Sequence, residues 1–74
     1  MADTTVDARG LQCPMPVIKL SQALKAASSG QTIELLSTDK GSCSDVPAWT
    51  DDMGFAITES FEEDGVFHFV IAKP

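Results

Sequence analysis

One short segment of this 74-residue chain concentrates the residue types that carry chemistry: positions 10–16 read GLQCPMP and contain Cys13. Pro14 suits the first position of a helix, because its φ is preset and its missing N–H would have no partner there. We therefore expect Cys13 at the N-cap or first residue of a helix, with Pro16 still in the first turn. Gly10 is expected to end the preceding strand. Two prolines in one turn stiffen it and fix the direction of the sulfur.

A cysteine at a helix start lies beside unpaired N–H groups and the positive end of the helix dipole. We expect this position to lower the pKa of the Cys13 thiol and to favour the nucleophilic thiolate. A thiolate attacks sulfane sulfur or a disulfide, and the same dipole would hold the resulting anionic persulfide. Arg9 and Lys19 are near enough in sequence to add positive charge. The competing interpretation is a buried, inert cysteine, but Cys13 precedes the apolar stripe that begins at Val17.

Cys43 is the other of the two cysteines. It is either a resolving thiol or second sulfur acceptor, or an incidental residue at the start of a second helix. The incidental interpretation is favoured, because a thiol in a turn gains reactivity only from a partner or a nearby positive charge. The chain has no CxxC pair and no Cys/His cluster, so neither a disulfide framework nor a metal site is expected, and no cofactor is implied.

Three other polar residues have two interpretations each. Asp39 and Asp45 are possible general acids, but a capping role is favoured: Ser42 or Ser44 would cap the second helix, with Asp45 in its first turn complementing the dipole. His68 alternates with apolar residues in the last strand, so we expect it on the uncovered face, exposed or facing a partner.

Hydrophobic periodicity predicts the order β-α-β-α-β-β. Val17, Leu20, Leu24 and Ala27 repeat on one helical face, and Gly30 and Gly54 are expected to end the two helices. The predicted elements are strand 4–8, a helix from Pro14 to about Ser28, strand 31–37, a helix through Val46, Trp49 and Met53 with Pro47 in its first turn, strand 55–61, a connection over 62–65, and strand 66–72.

Right-handed crossovers place both helices on the same face of one four-stranded mixed sheet, which predicts an α/β fold in the form of a two-layer α/β sandwich, a single domain over 1–74. The loops that carry Cys13 and Cys43 follow parallel strands and are expected at the same end of the sheet. The inward-facing positions of the last two strands are predicted to be Phe55, Ile57, Phe61, Phe67, Phe69 and Ile71.

Composition limits the function classes. Five basic residues stand against eleven acidic ones, a net charge of −6, so a direct nucleic-acid interface is not expected and basic protein partners are favoured. No apolar run reaches the ~20 residues of a membrane span, and positions 1–6 lack signal-peptide features. We expect a cytoplasmic protein whose small size puts its chemistry at the surface.

Two motifs resemble the TusA family of sulfur carriers, also described as SirA-like. The family pattern of Asp, Gly and then Cys-Pro-x-Pro at the first helix is matched by Asp7, Gly10, Cys13, Pro14 and Pro16. A second pattern that opens the next helix is matched by Asp39, Ser42, Asp45, Val46 and Pro47. The resemblance covers essentially the whole chain, including its length and element order.

The resemblance implies a βαβαββ fold whose Cys13 carries a persulfide. It implies a donor protein, either a cysteine desulfurase or a rhodanese, and an acceptor sulfurtransferase in a sulfur relay or in sulfur oxidation. Two alternatives stay open at this point: a redox-sensing regulatory module that uses Cys13, and a sulfurtransferase that acts directly on thiosulfate or polysulfide. The last would need cations around Cys13 to bind its anionic substrate.

Overall fold

The structure is a computed structural model that describes residues 3–74. Met1 and Ala2, which belong to the predicted domain and to the N-terminal segment considered above, lie outside the described residues. The elements follow the predicted order: β1 (Thr4–Ala8), α1 (Met15–Ala26), β2 (Thr32–Ser37), α2 (Ser42–Met53), β3 (Ala56–Glu63) and β4 (Val66–Ala72).

The four strands form one sheet in the order β1-β2-β4-β3. β1 and β2 are parallel, whereas β4 pairs antiparallel with both β2 and β3, so the sheet is mixed as predicted. The carboxyl ends of the parallel strands β1 and β2 meet at one edge of the sheet, and α1 and α2 both begin from that edge. The two-layer α/β sandwich is thus confirmed, and its topology brings the loops before the two helices together.

The core lies between the sheet and the helices. Leu20 and Leu24 of α1 are buried against Ile33 and Leu35 of β2, which confirms the helical and alternating periods seen in the sequence. The other buried apolar side chains are Ala8, Val46, Phe69 and Ile71. Trp49 and Phe55 pack against this core as predicted, with their ring centroids 5.6 Å apart.

Phe61 is the exception to the predicted strand pattern. Ile57 pairs with Ile71 and faces inward, but the register shifts between Ile57 and Glu59, so that Phe61 pairs with His68. A β-bulge of this kind reverses which face every later side chain occupies. The prediction that Phe61 faces inward is therefore wrong: its side chain lies on the uncovered face of the sheet and is 47% exposed.

The hairpin between β3 and β4 is shorter than predicted. Glu63 still pairs with Val66, which leaves Asp64 and Gly65 as a two-residue loop. Both loop residues have positive φ, +53° and +79°, and an Asp-Gly pair is typical of the type I′ turn that matches the twist of a hairpin.

Helix α1 differs from its predicted bounds at both ends. It begins at Met15 with Pro14 as N-cap, and it ends at Ala26, with Ala27 as an extended C-cap. Gly30 is therefore not the predicted cap. It lies in the turn before β2 with a φ of +86°, and its N–H donates to the Lys73 carbonyl at 2.8 Å.

Helix α2 begins at Ser42, so Pro47 lies inside the helix and not in its first turn as predicted. Proline lacks the N–H that would bond to the carbonyl four residues earlier, which here belongs to Cys43. The predicted end at Gly54 is confirmed, because Gly54 is the left-handed C-cap. None of the helices within residues 3–74 is long and apolar enough to cross a membrane.

Candidate functional site

Cys13 is an exposed free thiol in the loop between β1 and α1. Because Pro14 is the N-cap of α1, Cys13 lies one residue before the cap, and the prediction that it is itself the N-cap or first helical residue is wrong. The Cys13–Pro14 peptide bond is cis. Pro16 is buried in the first turn and anchors the start of α1 against the core.

Asp39, from the loop before α2, holds the backbone of Cys13. The Cys13 N–H donates to Asp39 Oδ2 at 2.8 Å, while Asp39 Oδ1 accepts from the Gly41 N–H at 3.3 Å. The Asp39 N–H in turn donates to Ser37 Oγ at 3.2 Å, and Ser37 Oγ is bonded to the buried Ser42 Oγ at 2.7 Å. The buried Ser42 hydroxyl therefore supports the loop that carries Asp39. The prediction that Ser42 caps α2 is wrong.

Ser44 does not cap α2 either, because the N-cap is Gly41 and no side chain makes a capping hydrogen bond. The Gly41 backbone passes close to Cys13. A Cβ added at Gly41 would lie 3.6 Å from Cys13 Cβ and 3.1 Å from Asp39 Oδ2. Glycine at this position lets the two loops approach each other closely.

Asp45, in the first turn of α2, contacts the sulfur itself: Cys13 Sγ donates a hydrogen bond to Asp45 Oδ2. This hydrogen bond is the main reason that the pKa of the Cys13 thiol is raised, with desolvation and the negative charges of Asp45 and Asp39 acting in the same direction. The predicted lowering of the Cys13 pKa is therefore wrong. Asp39 and Asp45, from the loop before α2 and from α2 itself, favour the protonated thiol, and Cys13 lies outside the helix whose dipole was expected to favour the thiolate.

Arg9 does not bring positive charge to the thiol. Its Nε and Nη2 donate to the two carboxylate oxygens of Asp7, each at 2.9 Å, so the guanidinium is held in a bidentate pair. This pair is the main reason that the pKa of Asp7 is lowered to about 2, and the charge of Lys19 contributes to the same lowering. Both predicted supporting cations thus act on Asp7, whereas the charged groups that shift the Cys13 pKa are the carboxylates.

Gly10 ties the two loops together through its backbone. Its φ is +79°, a conformation that favours glycine, and its N–H donates to Thr38 Oγ1 at 2.9 Å. The predicted role of Gly10 as the end of the first strand agrees with β1 ending at Ala8.

Two apolar side chains of α1 are exposed close to Cys13 in sequence. Met15 is 41% exposed and Ile18 is 42% exposed, although most large apolar residues of the chain are covered. They lie three residues apart and share a helical face. The thiol is thus followed on α1 by an apolar surface, formed by Met15 and Ile18, that faces solvent.

Cys43 lies in the first turn of α2 and is also exposed and free. It lines a groove of about 280 Å³ between α2 and the hairpin, together with Pro47, Ser60, Phe61, Glu62, Phe67 and Phe69. Residues two apart on a helix do not face each other, so Cys43 and Asp45 point away from one another. The loop that carries Cys13 and the start of α2, where Cys43 lies, do meet at one end of the sheet, as predicted, but Cys43 is not among the groups bonded to Cys13.

His68 lies on the uncovered face of the sheet, as its position in β4 predicts. It is not freely exposed there, because its ring stacks on Phe61 with centroids 4.5 Å apart. Its Nδ1 is also 3.1 Å from Glu34 Oε2. Within residues 3–74 no group of three or more His, Cys, Asp or Glu side chains is arranged to hold a metal ion.

Sequence reasoning missed the contact between Asp45 and the thiol. It treated Asp45 as a residue that complements its own helix dipole, which is its local role. The available signal was topological: Asp45 follows the strand parallel to the one before Cys13, so both residues had to lie at one sheet edge.

The chain matches known proteins along nearly its full length. The sequence model of the family described as Sulfurtransferase TusA matches residues 4–73. The sulfur carrier protein TusA of Allochromatium vinosum is 44% identical over 71 residues, which cover 96% of this chain and 93% of that protein. The putative sulfur carrier protein YrkI of Bacillus subtilis is 38% identical over 72 residues, covering 97% and 96%.

A solved structure has the same fold. The crystal structure of a SirA-like protein from Desulfitobacterium hafniense superposes with a TM-score of 0.82 at 31% sequence identity, and the match covers 92% of this chain and 93% of that one. The element order, the motif around Cys13 and these similarities lead to one conclusion: the chain belongs to the TusA family.

Proposed function

We propose that this chain is a sulfur carrier whose Cys13 accepts sulfane sulfur as a persulfide and delivers it to a partner protein. The observation that carries the proposal is the exposed Cys13 thiol, held by its backbone at the junction of two loops rather than packed in the core. Relatives that match nearly the whole chain are named sulfur carrier proteins, which supports the same role here.

The chemistry requires one exchange at sulfur. The Cys13 thiolate attacks the outer sulfur of a donor cysteine persulfide, the S–S bond of the donor breaks, and the donor cysteine leaves as a thiolate. Cys13 then carries the outer sulfur as a persulfide, and delivery to the acceptor repeats the exchange in the other direction. No external oxidant or reductant is needed, because sulfane sulfur is passed on unchanged.

A protein donor fits the surroundings of Cys13 better than a small anion does. The charged groups that act on the thiol are Asp39 and Asp45. Because both are negatively charged, they disfavour the binding of anionic thiosulfate and polysulfide. The apolar surface of Met15 and Ile18, on the helix that follows Cys13, offers a docking partner contact area. We therefore propose a cysteine desulfurase or rhodanese as donor and a sulfurtransferase as acceptor.

Mass spectrometry of the intact chain tests the proposal. After incubation with a cysteine desulfurase and cysteine, or with a persulfidated rhodanese, we expect a mass increase of one sulfur atom. The increase should be absent in Cys13→Ser and retained in Cys43→Ser, its matched control. Failure to load from any donor protein would overturn the carrier function, and efficient loading from thiosulfate alone would favour direct sulfurtransferase activity instead.

A further inference from the structure

The contact between Asp45 and the Cys13 sulfur has no obvious purpose in a nucleophile. A hydrogen bond from the thiol to a carboxylate stabilises the protonated form, which does not attack sulfur. Asp39 adds a second negative charge while it holds the Cys13 backbone. In the folded chain, these two carboxylates therefore favour the protonated, less reactive form of the Cys13 thiol.

The charged groups around Cys13 explain why no cation within residues 3–74 offsets the effect of Asp39 and Asp45 on the thiol. On the β1 side, Arg9 and Asp7 are paired with each other. On α1, Lys19 acts on Asp7. On the α2 side, the groups that act on the thiol are Asp39 and Asp45. Lys40, the cation next to Asp39 in sequence, is exposed and is not among the groups that shift the Cys13 pKa. We therefore expect the cation that relieves the Cys13 thiol to come from another molecule.

We propose that Asp45 determines which sulfur donors Cys13 accepts: its carboxylate engages the thiol hydrogen and repels anionic small-molecule donors until a cationic group of a docking protein pairs with it. The inference rests on the proposed carrier function and adds a selection step to it. When the partner cation pairs with Asp45, the thiol loses its acceptor and its proton passes to solvent. The thiolate then attacks the outer sulfur of the donor persulfide, and the donor thiolate leaves.

Two probes of opposite charge separate charge selection from general reactivity. The neutral reagent iodoacetamide gives the pH profile of Cys13 alkylation. A dianionic aromatic disulfide, dithiobis-nitrobenzoate, and the dicationic disulfide cystamine then give a ratio of exchange rates at one pH. In this first measurement every chain carries Cys43→Ser, so that only Cys13 reacts.

Asp45→Asn should shift the alkylation profile to lower pH and raise the anionic-to-cationic rate ratio by about three- to tenfold. Asp52→Asn is the matched control, because it makes the same change of charge on an exposed residue two turns further along α2. It should leave the profile and the ratio essentially unchanged, whereas Asp45→Glu, which keeps a carboxylate, should restore discrimination against the anion at least in part. Equal behaviour of the two asparagine variants would overturn the proposal.

A second measurement avoids substitution at Asp45. In the Cys43→Ser chain, the Cys13 rate ratio should depend more strongly on ionic strength than the Cys43 ratio does in the Cys13→Ser chain, although both chains have the same net charge. Equal salt dependence of the two thiols would contradict a local effect of Asp45. These probes do not involve persulfide loading, so the two proposals can fail separately. Normal persulfide loading without charge selection by Asp45 would overturn the role of Asp45 alone. Normal charge selection without persulfide loading would overturn the carrier function.

Discussion

Asp39 Oδ2 accepts a hydrogen bond of 2.8 Å from the backbone N–H of Cys13. This bond joins the loop before α1, which carries Cys13, to the loop before α2, which carries Asp39. The second oxygen of the same carboxylate accepts from the Gly41 N–H and so fixes Asp39 within its own loop. The position of Cys13 in one βα unit is thus set by a side chain of the next.

Removal of the Asp39 side chain should release the Cys13 backbone. In Asp39→Ala we expect the Cys13 amide hydrogen to exchange with solvent about tenfold faster or more, because its acceptor is lost. Asp39→Asn keeps an oxygen acceptor and should remain slow. Hydrogen exchange followed by NMR measures both, with the Leu35 amide in β2 as internal reference. Equal exchange at Cys13 in the two variants would show that Asp39 does not hold this backbone.

The Asp7–Arg9 pair should make a small contribution to stability that depends on pH. The folded pKa of Asp7 is about 2, below the ~3.9 of an unfolded chain. The contribution is therefore fully present above about pH 4 and is lost as the pH falls through about 2. Both side chains are 54% exposed, so solvent screening keeps it small.

Arg9→Gln tests this pair directly. An NMR titration should place the midpoint of the Asp7 carboxyl well above that of the unsubstituted chain, and the difference in unfolding free energy between the two chains should narrow from pH 5 to pH 2. Lys25→Gln makes the same charge change at an exposed site of α1. If the Asp7 titration midpoint moved as far in Lys25→Gln, the net charge of the chain, and not the ion pair with Arg9, would account for the lowered pKa of Asp7.

Lys73 should stabilise the end of α1. Its Nζ donates to the Leu24 carbonyl at 2.7 Å, which also accepts from the Ala27 N–H, and to the Ala27 carbonyl at 2.8 Å, so the ammonium group caps the carbonyl end of the helix. Lys73→Met should lower the free energy of unfolding by about 1–2 kcal/mol. Urea unfolding of Lys73→Met and Lys25→Met compares the two lysines, and losses of equal size would count against a capping role.

The bulge in β3 predicts unequal effects of two phenylalanine substitutions. Phe69 is 5% exposed and Phe61 is 47% exposed. Phe69→Ala should cost about 3–4 kcal/mol through lost burial and a cavity, whereas Phe61→Ala should cost about 1 kcal/mol, mainly from its stacking on His68. Thermal and urea unfolding measure both, and a loss at Phe61 as large as that at Phe69 would place Phe61 in the core.

The fold was predictable because its signals are local and repeated. Leu20 and Leu24 mark one helical face, Ile33 and Leu35 alternate in a buried strand, and both patterns are confirmed. The orientation of Phe61 was not predictable, because a bulge shifts the register without changing the alternation of residue types.

The site was predictable only in part for a different reason. Cys13 and its prolines are visible as a motif, but the direction of its pKa shift depends on Asp39 and Asp45, which are 26 and 32 residues away in sequence. A helix-dipole argument uses only the neighbours of Cys13 along the chain. The carboxylates of Asp39 and Asp45 act through space instead, and they raise the pKa of Cys13.

The hydrogen bond between Asp45 and Cys13 exists only where the two βα units are docked on each other. An unfolded or newly made chain has an ordinary thiol at Cys13, with no carboxylate holding its hydrogen. The rate of Cys13 alkylation therefore reports on tertiary structure. Denaturant should accelerate this alkylation at neutral pH, whereas denaturant slows the reactions of most cysteines that their folded site activates. Loss of the fold should therefore remove the carboxylate that holds the Cys13 thiol hydrogen, so the folded domain itself restrains this cysteine.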